Sequence, residues 1–200
     1  GATDFCILSH SLPGYYGLSA GAWKHWSRVW DVDYEYVKGR FASQKLMQSK
    51  GIPVSRWIDG VLEDKDKIDQ PDNLRAMVLW GHAVNSQTRL PEMKKAMEKL
   101  DLLVVVDPYP TVSAVMHDRK DGVYLLPAAT QFETYGSVTA SNRSLQWRDK
   151  VVEPLFESKP DHNIMYLLAK KLGFDKEMFK NIKVNGNEPF VEDITREFNK

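Results

Sequence analysis

The chain has 200 residues, of which 42% are hydrophobic and 11% aromatic, enough to bury a core and too apolar for a disordered segment. Its 27 basic and 27 acidic residues give a formal net charge of zero, so neither nucleic acid nor an anionic membrane is expected as a partner. The single cysteine, Cys6, excludes an internal disulfide and cannot build a zinc or iron–sulfur site without further ligands.

The first part of the chain is rich in Trp, Tyr and Gly and shows only short helical patterns. We therefore interpret residues 1–73 as an irregular covering segment that ends in a charged connector over residues 63–73. Three tryptophans recur at spacings of three and four, at Trp23, Trp26 and Trp30. This spacing is typical of a helix face that packs on another domain. No apolar run approaches the roughly 20 residues of a membrane-spanning helix, so direct membrane insertion is not expected.

From Leu74 onward, short apolar runs alternate with amphipathic stretches. Strands are expected at residues 76–80, 102–106 and 123–126, and helices at residues 91–100, 111–116 and 161–172. This alternation predicts an α/β fold with a doubly wound, Rossmann-like and mostly parallel sheet. Residues 74–174 would form that domain, with Gly173 closing its last helix. Residues 175–200 are expected to be a surface tail or a crossover to another domain.

The turn after the first predicted strand is built from small and polar residues: Gly81, His82, Ala83, Val84, Asn85 and Ser86. A glycine directly after a strand, with small residues leading into a helix, can present backbone N–H groups to a phosphate. An ordinary βα turn often has the same composition, so both interpretations stay open. No G-x-G-x-x-G follows any predicted strand, which disfavours an independent NAD-binding domain.

Asp107 ends the second predicted strand, where a buried parallel strand brings a carboxylate to the ligand-binding edge of a sheet. Pro108 and Pro110 fix the backbone on either side of Tyr109, so that Asp107 and Thr111 could face one ligand. An aspartate here can accept hydrogen bonds from ribose hydroxyls or from the edge of guanine, or it can cap the turn that follows. The residues alone do not decide between these roles.

Two further candidate positions lie later in the chain. The long polar loop after the third predicted strand contains Glu133 and Thr134, and loops of this length usually have a function. An ion pair between Glu133 and Arg143 would order the same loop without any ligand. Asp161 stands where the last helix should be N-capped, which is a sufficient explanation for it. The five histidines show no metal-binding spacing, so no metal site is expected within this chain.

The chain resembles the molybdopterin oxidoreductase family, most closely the large catalytic subunit of respiratory formate dehydrogenases. The resemblance rests on four stretches in order: WGHAVNSQTRLPEM, VVVDPYPTVSA, LLPAATQFETYGSVTASNR and SKPDHNIMYLLAKKLG. It implies an internal piece of a larger periplasmic subunit that oxidises formate to carbon dioxide. That subunit would hold two molybdopterin guanine dinucleotides around tungsten or molybdenum, together with one 4Fe-4S cluster. An iron–sulfur electron-transfer subunit and the remaining domains of the large subunit would be its protein partners.

The resemblance also implies that residues 74–174 bind one of the two dinucleotides. The residues implied are Gly81, His82, Ala83, Asn85 and Ser86 on the phosphate side, Asp107 and Thr111 toward the guanosine, and Glu133, Thr134 and Asp161 at other contact positions. Relatives commonly have Asn or Asp and then Pro where this chain has Ala83 and Val84. Contacts at that point would therefore come from the backbone, or from Asn85 or His82.

The family's selenocysteine or cysteine metal ligand, its active-site His and Arg, and its cluster cysteines have no counterpart in this chain. The piece alone is therefore expected to be inactive. Two alternatives remain beside the formate dehydrogenase hypothesis. One is the equivalent domain of a nitrate or sulfoxide reductase of the same family, and the other is a non-catalytic interaction domain.

Overall fold

A computed structural model of the chain describes residues 20–39, 51–82, 84, 88–139 and 144–198. The chain divides into two compact units. The first comprises residues 1–73 and 139–146, and the second comprises residues 74–138 and 147–200. No helix within the described residues is long and apolar enough to cross a membrane.

Short helices make up the described part of the first unit. They are α1 (Ala20–Val29), α2 (Tyr34–Lys38) and α3 (Trp57–Leu62), with 3₁₀ turns at Val54–Arg56 and Lys65–Lys67. The predicted tryptophan face is present, because Trp23 and Trp26 are buried and pack on Val37 of α2. Within the described residues this face packs on the neighbouring helix α2 of the same unit, while Trp30 is exposed, and packing on another domain stays a prediction. Asp31 adopts a left-handed φ of 53°, which reverses the chain after α1 and brings α2 back onto it.

A three-stranded parallel sheet forms the centre of the second unit. Its strands β1 (Ala76–Trp80), β2 (Leu102–Asp107) and β3 (Val123–Pro127) lie in the order β1-β2-β3. The helices α4 (Leu90–Lys99) and α5 (Val112–Val115) lie in the connections between them. The structure confirms the predicted α/β class and the parallel sheet. The middle strand β2 is the continuous apolar run that a strand with a neighbour on each side requires.

The remaining elements of the chain follow β3. They are β4 (Gly136–Thr139), β5 (Leu145–Arg148), α6 (Asp161–Leu172), α7 (Asp175–Met178), β6 (Val184–Asn185), β7 (Glu188–Pro189) and α8 (Val191–Phe198). Helix α6 ends as predicted at Gly173, whose φ of 80° closes the last turn. Beyond it, Phe179 packs at a right angle on Tyr166 of α6 in a small core that also contains Ala169. The segment after Phe174 therefore folds back onto α6.

Candidate functional site

The carboxyl ends of the three parallel strands meet at one edge of the sheet. The Gly81 N–H donates to the carbonyl oxygen of Val106 (2.9 Å), and the Ala128 N–H donates to the carbonyl oxygen of Asp107 (3.2 Å). The strand pairing thus continues to the points where the polypeptide leaves the sheet. Three loops, those after β1, β2 and β3, consequently start side by side, which is where open α/β sheets bind their ligands.

The turn after β1 begins at Gly81, whose φ of +58° lies in the left-handed region that favours glycine. A Cβ atom placed on Gly81 would meet no other atom within 4 Å, so the space beside this backbone is open. His82 is exposed, and its carbonyl oxygen accepts a hydrogen bond from the hydroxyl of Ser113 (3.0 Å). Three further candidates of this turn, Ala83, Asn85 and Ser86, lie outside the described residues, and their roles stay predictions.

Asp107 is the last residue of β2, and Thr111 lies in the loop that follows it. The Tyr109 N–H donates to Oδ1 of Asp107 (3.3 Å), so this carboxylate does close the turn that follows it. Its other oxygen makes no hydrogen bond to any described residue, and so the ligand role remains open beside the turn role. The hydroxyl of Thr111 is buried and has no hydrogen-bond partner within the described part of the chain. A buried unpaired hydroxyl costs about 1–3 kcal/mol, and a ligand that bonds it would recover that cost.

Glu133 holds the loop after β3 in place through hydrogen bonds to the backbone. It is only 6% exposed, and its two carboxylate oxygens accept hydrogen bonds from Thr130 N–H (2.7 Å) and Leu155 N–H (2.9 Å). The bond from the Thr130 backbone holds the pKa of Glu133 below its usual range. Thr134, its half-buried neighbour, donates only a long bond of 3.4 Å to the carbonyl oxygen of Tyr135. Arg143, the expected ion-pair partner of Glu133, lies outside the described residues.

The hydrogen bonds that Glu133 accepts predict that the stability of the loop after β3 depends on pH. A lowered folded-state pKa means that Glu133 stabilises the loop above its unfolded pKa and loses that contribution as the pH falls through the folded value. The backbone N–H groups of Thr130 and Leu155 should exchange their hydrogens faster in acid, after correction for the intrinsic exchange rates. Glu133→Gln keeps only one acceptor oxygen, so these groups should lose part of their protection from exchange already at neutral pH, and the gap to wild type should close on acidification. Glu157→Gln, which changes an exposed carboxylate, is the control, and equal behaviour of the two variants would contradict the assignment.

Asp161 lies at the same edge of the sheet, but it is not the N-cap that the sequence indicates. Pro160 occupies the cap position, Asp161 is the first helical residue, and no side chain caps the helix. The Oδ1 atom of Asp161 instead accepts a hydrogen bond from the indole Nε1–H of Trp80, at 2.7 Å. The backbone just before α6 runs beside the end of β3, because the Lys159 N–H donates to the carbonyl oxygen of Pro127 (3.1 Å) and the Lys159 carbonyl oxygen accepts from the Ala129 N–H (2.8 Å).

Trp80 and Ser113 are two residues of this edge that the sequence analysis did not single out. Trp80 ends β1 and orients Asp161 through its indole N–H. Ser113 is fully buried in α5 and bonds the backbone of the turn after β1. A tryptophan at a strand end was the available signal, because a buried or half-buried indole N–H usually needs an acceptor.

No group of three or more His, Cys, Asp or Glu side chains that could hold a metal ion is found in the described ranges. The described polar groups at the carboxyl edge include the carboxylates of Asp107 and Asp161 and the unpaired hydroxyl of Thr111, and the turn after β1 is predicted to add backbone N–H groups. These groups can accept hydrogen bonds from a base and donate them to phosphate oxygens. They suit the binding of a nucleotide-like molecule.

The profile of the family described as "Molybdopterin oxidoreductase" matches residues 14–171. The trimethylamine-N-oxide reductase of Vibrio cholerae is 34% identical over 145 residues, which cover 64% of this chain and 16% of that protein. The counterpart in Vibrio parahaemolyticus is 36% identical over 62% of this chain and 16% of its own length. The F420-dependent formate dehydrogenase subunit alpha of Methanocaldococcus jannaschii is 29% identical over 100% of this chain and 25% of that protein. The chain thus spans between 16% and 25% of the length of these relatives.

Proposed function

The chain belongs to the molybdopterin oxidoreductase family, and from that premise we propose that residues 74–174 bind one molybdopterin guanine dinucleotide of a larger catalytic subunit. The observation that carries the proposal is the buried, unpaired hydroxyl of Thr111, four residues after Asp107 ends the middle strand of a parallel sheet. A cofactor with phosphates, ribose and a purine supplies the hydrogen-bonding groups that this edge lacks. The residues present therefore fit the group.

Each part of the edge has a distinct role in this proposal. Gly81 would leave room for the pyrophosphate. The N–H donors would come from the turn residues implied by the resemblance, such as Asn85 and Ser86, because the N–H groups of Gly81 and Val84 already donate within the chain. The carboxylates of Asp107 and Asp161 would accept hydrogen bonds from N1–H and N2–H₂ of guanine, and Thr111 would bond the nucleoside. When bound, the cofactor supplies two-electron chemistry through the tungsten or molybdenum that its dithiolene ligates. The chain holds and orients that cofactor.

We further propose that the parent subunit is a formate dehydrogenase. Similarity to the archaeal formate dehydrogenase subunit extends over 100% of the chain, whereas the trimethylamine-N-oxide reductase of Vibrio cholerae aligns with 64% of it. A 4Fe-4S cluster bound outside this chain, an iron–sulfur partner subunit and a periplasmic location belong to the same proposal.

The second candidate is an oxide reductase of the same family, and the 34% and 36% identities to trimethylamine-N-oxide reductases favour it. The two activities are distinguished by assaying the purified parent subunit with an artificial redox dye. Formate-dependent dye reduction supports the first candidate. Oxidation of reduced dye that depends on trimethylamine N-oxide supports the second. A parent subunit that is folded but contains no pterin would instead favour the remaining alternative, a non-catalytic interaction domain.

Asp107→Ala in the full parent subunit is expected to weaken binding at this site roughly tenfold through the loss of one hydrogen bond to a charged group, and so to lower the GMP released on acid hydrolysis by up to about half, because the second dinucleotide is bound elsewhere. The control is Asp101→Ala, because Asp101 precedes the opposite end of the same strand and pairs with Arg75 instead. Unchanged GMP content in Asp107→Ala would remove Asp107 from the site. Loss of GMP in both variants would indicate damage to the strand.

A further inference from the structure

Ser113 joins two of the three loops at the carboxyl edge. Its side chain is 0% exposed, and its hydroxyl donates to the carbonyl oxygen of His82 (3.0 Å) and accepts from the N–H of Val84 (3.1 Å). His82 and Val84 belong to the turn after β1, while Ser113 belongs to the short helix after the Asp107 loop. One hydroxyl therefore uses both its donor and its acceptor capacity to hold neighbouring loops together.

The turn after β1 is consequently held on two sides. The Gly81 N–H donates to the carbonyl oxygen of Val106 in β2 (2.9 Å). Further along the turn, the Val84 N–H donates to the hydroxyl of Ser113. Val84 itself is only 1% exposed, so water has little access to its N–H. Without the Ser113 hydroxyl, that N–H and the His82 carbonyl would lose this partner, and the turn would be free to move away from α5.

We infer that Ser113 is a positioning residue, which sets the distance between the phosphate-binding turn and the guanosine-binding residues. The inference rests on the proposed function, because it is the dinucleotide that must reach both places at once. Ser113 lies two residues after Thr111, so a shift of α5 relative to the turn would change the span that the cofactor has to bridge. A bridging ligand tolerates little error in such a span, since each end is bound by groups of fixed geometry.

A purely structural role for Ser113 makes a different prediction. A buried hydroxyl that makes hydrogen bonds contributes to stability wherever it occurs, and the first unit contains a matched example. Ser27 is 6% exposed and donates to the carbonyl oxygen of Lys24 (2.9 Å) within α1. Ser27→Ala and Ser113→Ala each remove one buried hydroxyl, but only the second releases the turn at the carboxyl edge.

The test uses the full parent subunit with Ser113→Ala, Ser113→Thr and Ser27→Ala. The first measurement is the GMP and pterin released per polypeptide. The others are the electron paramagnetic resonance signal of the metal and hydrogen exchange in peptides covering residues 78–84. We expect Ser113→Ala to lower the GMP content by up to about twofold, because only one of the two dinucleotides is bound here, to broaden the metal signal and to speed exchange in the turn. Ser113→Thr, which keeps the hydroxyl, should restore most of the GMP, and Ser27→Ala should resemble wild type.

Three outcomes would overturn the inference. The first is Ser113→Ala with wild-type GMP content. The second is an equal loss of GMP in Ser27→Ala, and the third is a Ser113→Ala subunit that fails to fold, which would make the residue a general stability determinant. A wild-type parent that contains no GMP or pterin would instead refute the proposed function. If that parent nevertheless showed fast exchange in the turn only with Ser113→Ala, the link between the two loops would stand without the cofactor.

Discussion

Gly122→Ala is expected to destabilise the second unit by about 3 kcal/mol or more, from backbone strain combined with overpacking. Gly122 has a φ of +63°, in the left-handed region where a side chain is strained. A Cβ atom would lie 2.4 Å from the carbonyl oxygen of Asp101 and 2.6 Å from Nη2 of Arg119. The first contact is with backbone, so no side-chain rotation can relieve it.

The new methyl group would displace the carbonyl oxygen of Asp101 and Nη2 of Arg119. Both atoms hold the start of β2 in place. The guanidinium of Arg119 donates to the carbonyl oxygens of Met97 (2.9 Å), Leu100 and Asp101 (3.1 Å), where α4 ends and β2 begins. The Leu103 N–H donates to the carbonyl oxygen of Gly122 (2.7 Å), which starts the pairing of β2 with β3. Displacement at Gly122 would therefore disturb the helix end and the strand pair together.

The measurement is hydrogen exchange over residues 97–106 of the parent subunit, together with its soluble yield. Gly173→Ala is the matched control, because Gly173 also has a positive φ of 80° but a Cβ there would meet nothing within 4 Å. That control should lose only the strain of about 1–2 kcal/mol. Similar effects of the two substitutions would show that the contact with Asp101 is relieved without cost.

The sequence predicted the elements whose signals are local. The three strands are unbroken apolar runs, and α6 ends at Gly173 because a glycine alone suffices to start the left-handed turn. Asp107 was placed at the end of the second strand for the same reason, and its role and that of Thr111 as ligands stay predictions.

The contacts that were missed are long-range. Trp80 and Asp161 are 81 positions apart, and Val84 and Ser113 are 29 apart, so no periodicity connects them. Asp161 was assigned as a cap from local preference, but Pro160 already supplies the extended cap conformation. Its carboxylate is thereby available to the indole of Trp80.

Asp161→Ala is expected to speed the release of the dinucleotide at this site from the parent subunit by roughly 100-fold, since about 3 kcal/mol is lost with two hydrogen bonds to a charged group. Trp80→Phe keeps an aromatic ring but removes the N–H that orients the carboxylate, and roughly a tenfold faster release from this site is expected. The measurement is the GMP that remains per polypeptide after dialysis over a range of times.

Matched controls exist for both substitutions. Asp175 is likewise the first residue of a helix, and Trp147 likewise donates its indole N–H to an aspartate, Asp149, at 3.1 Å. Asp175→Ala and Trp147→Phe should both retain GMP as the wild type does. If Trp80 acts through Asp161, then Trp80→Phe should have no further effect once Asp161 is alanine. Additive losses would mean instead that Trp80 contributes on its own, through its packing near Val106 and Ala128 at the strand ends.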